Sequence, residues 1–163
     1  QILFRQERVG LYGKTFTMFK FRTMSVGAEL SHGEMVRRQQ ESGGSFLLHQ
    51  PRDPRTTRMG RFLRRFSLDE IPQFLNVLNG SMSLVGPRPM LPEEVSNLSQ
   101  EELTRFDVLP GITGLAQISG RSSLGAREYL RKDLVYIASS GPKMYWKILL
   151  MTPLAVLSGI GVS

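Results

Sequence analysis

Two acids stand side by side at Asp69-Glu70, in a segment that opens Ser67-Leu68-Asp69-Glu70. Adjacent carboxylates suit a nucleophile or an oxygen-bound metal if they stay ionised, and the positive end of a helix keeps them so. The same pattern is an ordinary helix start, with Ser67 as N-cap and Glu70 closing a capping box. Arg52, Arg55, Arg58, Arg61, Arg64 and Arg65 precede the dyad. Spacings of three and four give the helical members overlapping faces, which serve either phosphate or a solvated surface. In Gly86-Pro87-Arg88-Pro89, two prolines fix the backbone around one guanidinium, so presenting it costs little entropy. That segment also reads as a structural turn. Lys20, Arg22 and Thr23 make a fourth cluster, which otherwise reads as an exposed hairpin edge. The three basic features suit phosphate and the dyad suits a nucleophile or a metal, and each has a purely structural reading beside it.

Composition narrows the chemistry. The 163 residues fit one domain large enough to bury a core. There is no cysteine, and the only histidines are His32 and His49, so any metal must be held by oxygen, as magnesium is. Lys+Arg is 21 against 14 for Asp+Glu, a net charge of +7. Such an excess suits nucleic acid, anionic lipid or phosphorylated substrates. No run of 18 or more apolar residues is present, so no segment reads as a bilayer span. The nearest is Ile148 to Ile160, interrupted by Pro153, which reads as a core helix or an interfacial segment. The chain lacks an initiator methionine and a signal peptide, and reads as part of a longer protein.

The elements that must position these residues follow from periodicity. Ile2 to Arg8 and Thr15 to Met24 read as a hairpin punctuated by Gly10 and Gly13. A polar helix is expected from Ala28 to Glu41, then a Gly43-Gly44 break and an exposed loop over Leu47 to Thr57. A helix resumes at about Met59 and pauses at Ser67. Leu68, Ile71, Leu75 and Leu78 then mark an apolar helical face that Asn79-Gly80 stops. Ser81 to Pro92 reads as a loop, and Ser99 with Glu101 and Glu102 as a helix start. A short strand is expected within Gly114 to Gly120, then helices at about Leu124 to Ala138 and Lys143 to Leu157. The whole is one α+β domain, mostly helical, with an N-terminal β-hairpin and amphipathic helices that, in the interfacial reading, are membrane-surface helices.

Five segments together carry a resemblance. Phe4-Arg5-Gln6-Glu7-Arg8-Val9-Gly10, Lys20-Phe21-Arg22-Thr23-Met24, Ser67-Leu68-Asp69-Glu70-Ile71-Pro72-Gln73 and Ser83-Leu84-Val85-Gly86-Pro87-Arg88-Pro89 occur in order. Pro110-Gly111-Ile112-Thr113-Gly114-Leu115-Ala116-Gln117 follows, with Gly120-Arg121 after it. From about Phe4 to Leu157 the chain resembles the bacterial sugar transferases, monotopic polyprenyl-phosphate phosphoglycosyl transferases. The resemblance implies that a UDP-sugar donor is cleaved, UMP released and the phosphosugar passed to polyprenyl phosphate, initiating surface glycan synthesis. It implies that Asp69 is the nucleophile of a covalent phosphosugar intermediate, with Glu70 its partner and Mg²⁺ held at the dyad. Lys20 joins this catalytic set, and Arg22, Arg64, Arg88, Gln117 and Arg121 are expected to bind substrate. The implied location is the cytoplasmic face of the bacterial inner membrane, with no nucleic acid partner. A re-entrant membrane helix is expected upstream of Gln1.

The chain departs from the family pattern at Ser81, where aspartate is common, before Lys147-Ile148-Leu149, where Tyr145-Trp146 stands in place of a usual aspartate, and at Leu115, where tryptophan is usual. Two other classes compete. A nucleic-acid module predicts aromatics among the basic residues, yet Arg52 to Arg65 holds only Phe62. A non-catalytic membrane-surface adaptor gives no reason to keep Asp69, Glu70, Lys20 and Arg88 together.

Overall fold

The computed structural model describes residues 2–25, 27–28, 55–120, 125–139 and 141–158. The polar helix expected over Ala28 to Glu41, the Gly43-Gly44 break and most of the Leu47 to Thr57 loop lie outside them.

Aromatic and β-branched residues build the hairpin. β1 (Leu3–Val9) pairs antiparallel with β2 (Thr15–Phe21), joined by a tight turn at Leu11–Gly13. Phe4, Gln6 and Arg8 stand opposite Lys20, Met18 and Phe16, so these six side chains share one face of the pleat. That face turns inward, leaving Arg5 and Glu7 exposed.

α1 (Arg58–Arg65) begins at Thr57, whose hydroxyl accepts from the Gly60 amide at 2.9 Å. Gly60 lies so close to the hairpin exit that a Cβ there would stand 2.0 Å from the Thr23 carbonyl oxygen. The chain then turns sharply at Ser67, with φ 53° and ψ 22°. This corrects the capping-box expectation. An N-cap residue has extended backbone angles, whereas Ser67 is left-handed and its side chain makes no capping hydrogen bond. Its amide donates to the Arg64 carbonyl at 3.0 Å, so it closes α1 as a left-handed residue just past the helix. A 3-10 segment, Leu68–Gln73, carries the dyad into α2 (Phe74–Leu78). The apolar face expected here exists but is turned outward: Ile71, Leu75 and Leu78 are exposed, Leu78 at 85 %.

The Ser81 to Pro92 stretch is not all loop. β3 (Ser83–Val85) pairs in parallel with β4 (Gly111–Thr113), and the connection between them carries α3 (Pro92–Val95) and α4 (Gln100–Leu103). A parallel pair needs such a crossover, which local periodicity does not reveal. Ser99 and Glu102 do form a capping box at α4, with Ser99 N–H donating to Glu102 Oε2 at 2.8 Å. The strand expected within Gly114 to Gly120 lies earlier, at Gly111–Thr113, and Leu115–Ile118 is helical (α5). Gly111 permits this close pairing, since a Cβ there would stand 2.0 Å from the Gly86 nitrogen.

α6 (Ala126–Ala138) and α7 (Pro142–Leu157) complete the described fold. α7 continues through Pro153, and Thr152 Oγ1 sits 2.8 Å from both the Ile148 carbonyl and Thr113 Oγ1. One buried cluster joins Val9, Met90, Phe106 and Leu130, and another joins Val85, Tyr136 and Ile148. The α+β, mostly helical architecture with an N-terminal hairpin is the one the sequence predicts.

Candidate active site

The dyad faces the hairpin because α2 is tied to the strand edge. Phe19 N–H donates to Asn76 Oδ1 at 3.1 Å, and Asn76 Nδ2 donates to the Thr17 carbonyl at 2.7 Å. Asn76 itself is fully buried. This clamp sets Lys20, one residue beyond Phe19, against Glu70, with Nζ 3.3 Å from Oε1. Both side chains are mostly buried, at 16 % and 13 % exposure.

Burial pushes the Asp69 carboxyl above the usual carboxylate range. Lys20 and Arg64 pull it back down, while Glu70 pushes it further up. Arg64 is held at the dyad's side by Thr23 Oγ1, at 3.0 Å from its Nε. Lys20 is pushed down by burial and by Arg88 and Arg8, against the pull of Glu70 and Asp69. The site is therefore a compact array of opposed charges in low-dielectric surroundings, where each charge acts strongly on its neighbours.

Arg88 projects from a loop braced on several sides. The Pro87 carbonyl accepts from the Gly111 amide at 2.9 Å, and the Arg88 carbonyl accepts from Arg105 Nη2 at 2.9 Å. The same Arg105 nitrogen meets Asp133 Oδ2 at 2.6 Å in a buried ion pair. Burial opposes the Arg88 charge, but Tyr129, Glu70, Glu94 and Asp69 outweigh it and raise its pKa. Arg8 lies beside it, donating from Nη1 to the Pro89 carbonyl at 3.2 Å.

A small cleft gathers Arg8, Lys20, Glu70, Gln73, Arg88 and Gln117. Of the residues singled out in the sequence, it brings together Lys20, Glu70, Arg88 and Gln117, with Asp69 and Arg64 in electrostatic contact. Arg22 is not among the lining residues; its guanidinium lies 5.2 Å from the Phe4 ring centre. Arg121 and Arg52 lie outside the described residues. The arginine series divides. Arg55 and Arg61 reach the Ala28 and Thr56 carbonyls, whereas Arg64 acts on Asp69.

Sequence reasoning missed Arg8, Gln73, Arg105 and Asp133. The hairpin register was the available signal for Arg8, because alternation places it on the Lys20 face. Among the described residues no group of three or more His, Asp and Glu side chains gathers as a metal site. Asp69 and Glu70 nonetheless fit magnesium, which commonly takes one or two carboxylates and completes its shell with water and substrate phosphate.

A sequence profile of the bacterial sugar transferases matches residues 1–159. The galactosyl transferase CpsE of Streptococcus agalactiae serotype III is 42% identical over 160 residues, covering 98% of this chain and 35% of that protein. The uncharacterized sugar transferase EpsL of Bacillus subtilis is 38% identical over 161 residues, covering 99% of this chain and 72% of its own length. The UDP-glucose:undecaprenyl-phosphate glucose-1-phosphate transferase of Escherichia coli K12 is 42% identical over 144 residues, covering 83% of this chain and 28% of that enzyme. The chain thus spans about a third of CpsE and less of the Escherichia coli enzyme. With the profile match running from the hairpin through α7, around the Asp69-Glu70 cleft, this chain belongs to the bacterial sugar transferase family.

Proposed function

We propose that this domain transfers a sugar phosphate from a UDP-sugar to a membrane polyprenyl phosphate, with release of UMP. The observation that carries the reading is the buried dyad set against Lys20, Arg64 and Arg88. Relatives named for UDP-glucose and undecaprenyl phosphate support the same substrates.

In this reading an Asp69 oxygen attacks the phosphorus that carries the sugar. The bond from that phosphorus to the bridging oxygen breaks, and UMP leaves with the electron pair. An oxygen of polyprenyl phosphate then attacks the aspartyl-phosphosugar, and Asp69 returns as carboxylate. Phosphoryl transfer asks the protein mainly for positioning and charge neutralisation. Arg64 and Lys20 favour the Asp69 carboxylate against its burial, and Arg88 offers a fixed guanidinium to phosphate oxygens. Asp69 and Glu70 would hold Mg²⁺, which supplies charge neutralisation at the diphosphate when bound.

The lipid acceptor calls for a membrane surface, at the cytoplasmic face where UDP-sugars are made. No described helix is long and apolar enough to cross a bilayer. Instead, exposed apolar side chains accompany α1 and α2 (Met59, Phe62, Phe74, Leu75, Leu78) and run along α7 (Trp146, Leu150, Leu154, Leu157). With the α1 arginines they match an interfacial surface that takes up headgroups and acyl chains together.

The decisive experiment is Asp69→Asn in the full-length protein. UMP release should be abolished, and wild-type protein given labelled donor without acceptor should retain label that hydroxylamine removes. Stability should change little, because the substitution keeps size and removes a charge that burial disfavours. Substantial turnover by Asp69→Asn, in protein free of deamidation, would end the covalent mechanism.

A further inference from the structure

Two buried arginines flank the Arg88 loop, and they are treated differently by their surroundings. Arg105 is matched: Asp133 meets its charge at 2.6 Å, and its remaining contacts brace the loop. Arg8 is 8 % exposed, and its hydrogen bonds go to neutral acceptors, the Pro89 carbonyl at 3.2 Å and Gln6 Oε1 at 2.7 Å. Its Nε is buried with no hydrogen-bond partner. Among the described residues no carboxylate stands within ion-pair distance of it. It lines the same cleft as Arg88, so a second cation is its neighbour.

A buried charge without a close counter-ion is strongly disfavoured, and two adjacent cations more so. Latching the Pro89 carbonyl does not account for the charge, since a neutral donor would do that. Burial and Arg88 together lower the Arg8 pKa to about 10, against a pull upward from Glu94, Glu93 and Glu70. At Arg8 itself burial and the neighbouring Arg88 thus outweigh the acids around it, none of which is close enough to pair with it. Gln117, which lines it too, has a buried side-chain oxygen without a partner, so polar capacity is unmet on both the donor and acceptor sides.

We propose that Arg8 is a substrate-binding residue that takes up a phosphate group jointly with Arg88 on the cleft floor. The proposal rests on the transferase reading for the identity of the ligand, and on the unmatched guanidinium for its location. Arginine's planar fork suits this task, because Pro89 and Gln6 take only part of its five N–H donors. The phosphate has two natural sources, the nucleotide and the lipid acceptor, and free phosphate offers the same chemistry.

The test is calorimetric titration of full-length protein in detergent micelles, wild type against Arg8→Gln, with three probes: UMP, a short-chain prenyl monophosphate and inorganic phosphate. Affinity for at least one probe should fall tenfold or more. Loss confined to UMP assigns the nucleotide phosphate, and loss confined to the prenyl probe assigns the acceptor. Loss of all three assigns a general phosphate site. Affinities within twofold of wild type for all three, in a variant with native circular dichroism, would overturn the proposal. Should Arg8→Gln fail to fold, Arg8→Lys decides. Lysine keeps the charge without the fork, so binding should weaken at least threefold, and wild-type affinity there would equally overturn it. Wild-type UMP release is followed in parallel, so that a failure of the transferase reading is seen separately from the titrations.

Discussion

Arg88 keeps its charge in a confined cleft because Tyr129, Glu70, Glu94 and Asp69 together outweigh the cost of burial. A guanidinium held in that way is worth most when negative charge develops in front of it. Arg88→Ala should therefore lower turnover at saturating donor on the order of a hundredfold, about 3 kcal/mol of transition-state stabilisation. The fold should survive, because the Pro87 and Arg88 carbonyls, not the guanidinium, tie the loop to Gly111 and Arg105. UMP release and the unfolding midpoint measure the two halves, and near-wild-type turnover would leave Arg88 a turn residue. At this scale the sequence was informative where chemistry and spacing coincide, as at Asp69, Glu70, Lys20 and Arg88. It was silent on Arg8 and Gln73, whose roles depend on which way a strand or a 3-10 segment faces. At Ser67 it misled. The Ser-x-x-Glu pattern carries no backbone angle, and the left-handed turn that closes α1 takes Ser67 out of the capping geometry.

Among the elements, α6 reaches the site through Tyr129, which acts on Arg88, and through Asp133 and its pair with Arg105. Burial pushes the Asp133 carboxyl up from 3.8 to about 6, although Arg105 and Arg88 both pull it down. A carboxyl raised by folding holds its proton more tightly in the native state. Its contribution to stability is complete below its unfolded pKa, near 3.8, and is lost as pH rises through about 6. At about 1.4 kcal/mol per pH unit, the loss amounts to roughly 3 kcal/mol. Asp133→Asn does not titrate, so the stability of wild type relative to the variant should decline by that amount between about pH 4 and about pH 7. Urea unfolding at a series of pH values measures it, and a flat difference would mean that burial leaves this carboxyl unshifted. Helices with strong local signals, α1, α4, α6 and α7, were readable because capping and 3.6-residue periodicity are local properties. β3 and β4 were not, because three-residue strands paired across a crossover have no periodicity of their own.

For the molecule as a whole, a net charge of +7 and the exposed apolar side chains of α1, α2 and α7 act together. If the proposed membrane contact holds, flotation of this chain with liposomes should rise with anionic lipid and fall with salt, which screens arginine from anionic headgroups. Leu75→Ser with Leu78→Ser should lower flotation at every lipid composition while leaving the fold intact, since both side chains are already exposed. Equal binding to neutral and anionic vesicles would remove the electrostatic part. Unchanged flotation of the double variant would remove α2 from the contact. Class and architecture were legible at this scale, but the destination of an apolar stripe was not. Periodicity identifies the stripe at Ile71, Leu75 and Leu78 without saying whether protein or lipid covers it.

The Asn76 clamp has a consequence beyond the dyad. A primary amide carries one carbonyl and one N–H-bearing nitrogen, the same pair of groups that a peptide unit presents to a neighbouring strand. By taking Phe19 N–H and the Thr17 carbonyl, Asn76 plays the part of a third strand along the outer edge of β2. An incoming extended chain finds those two positions already filled, so this side chain closes that part of the hairpin edge to strand addition.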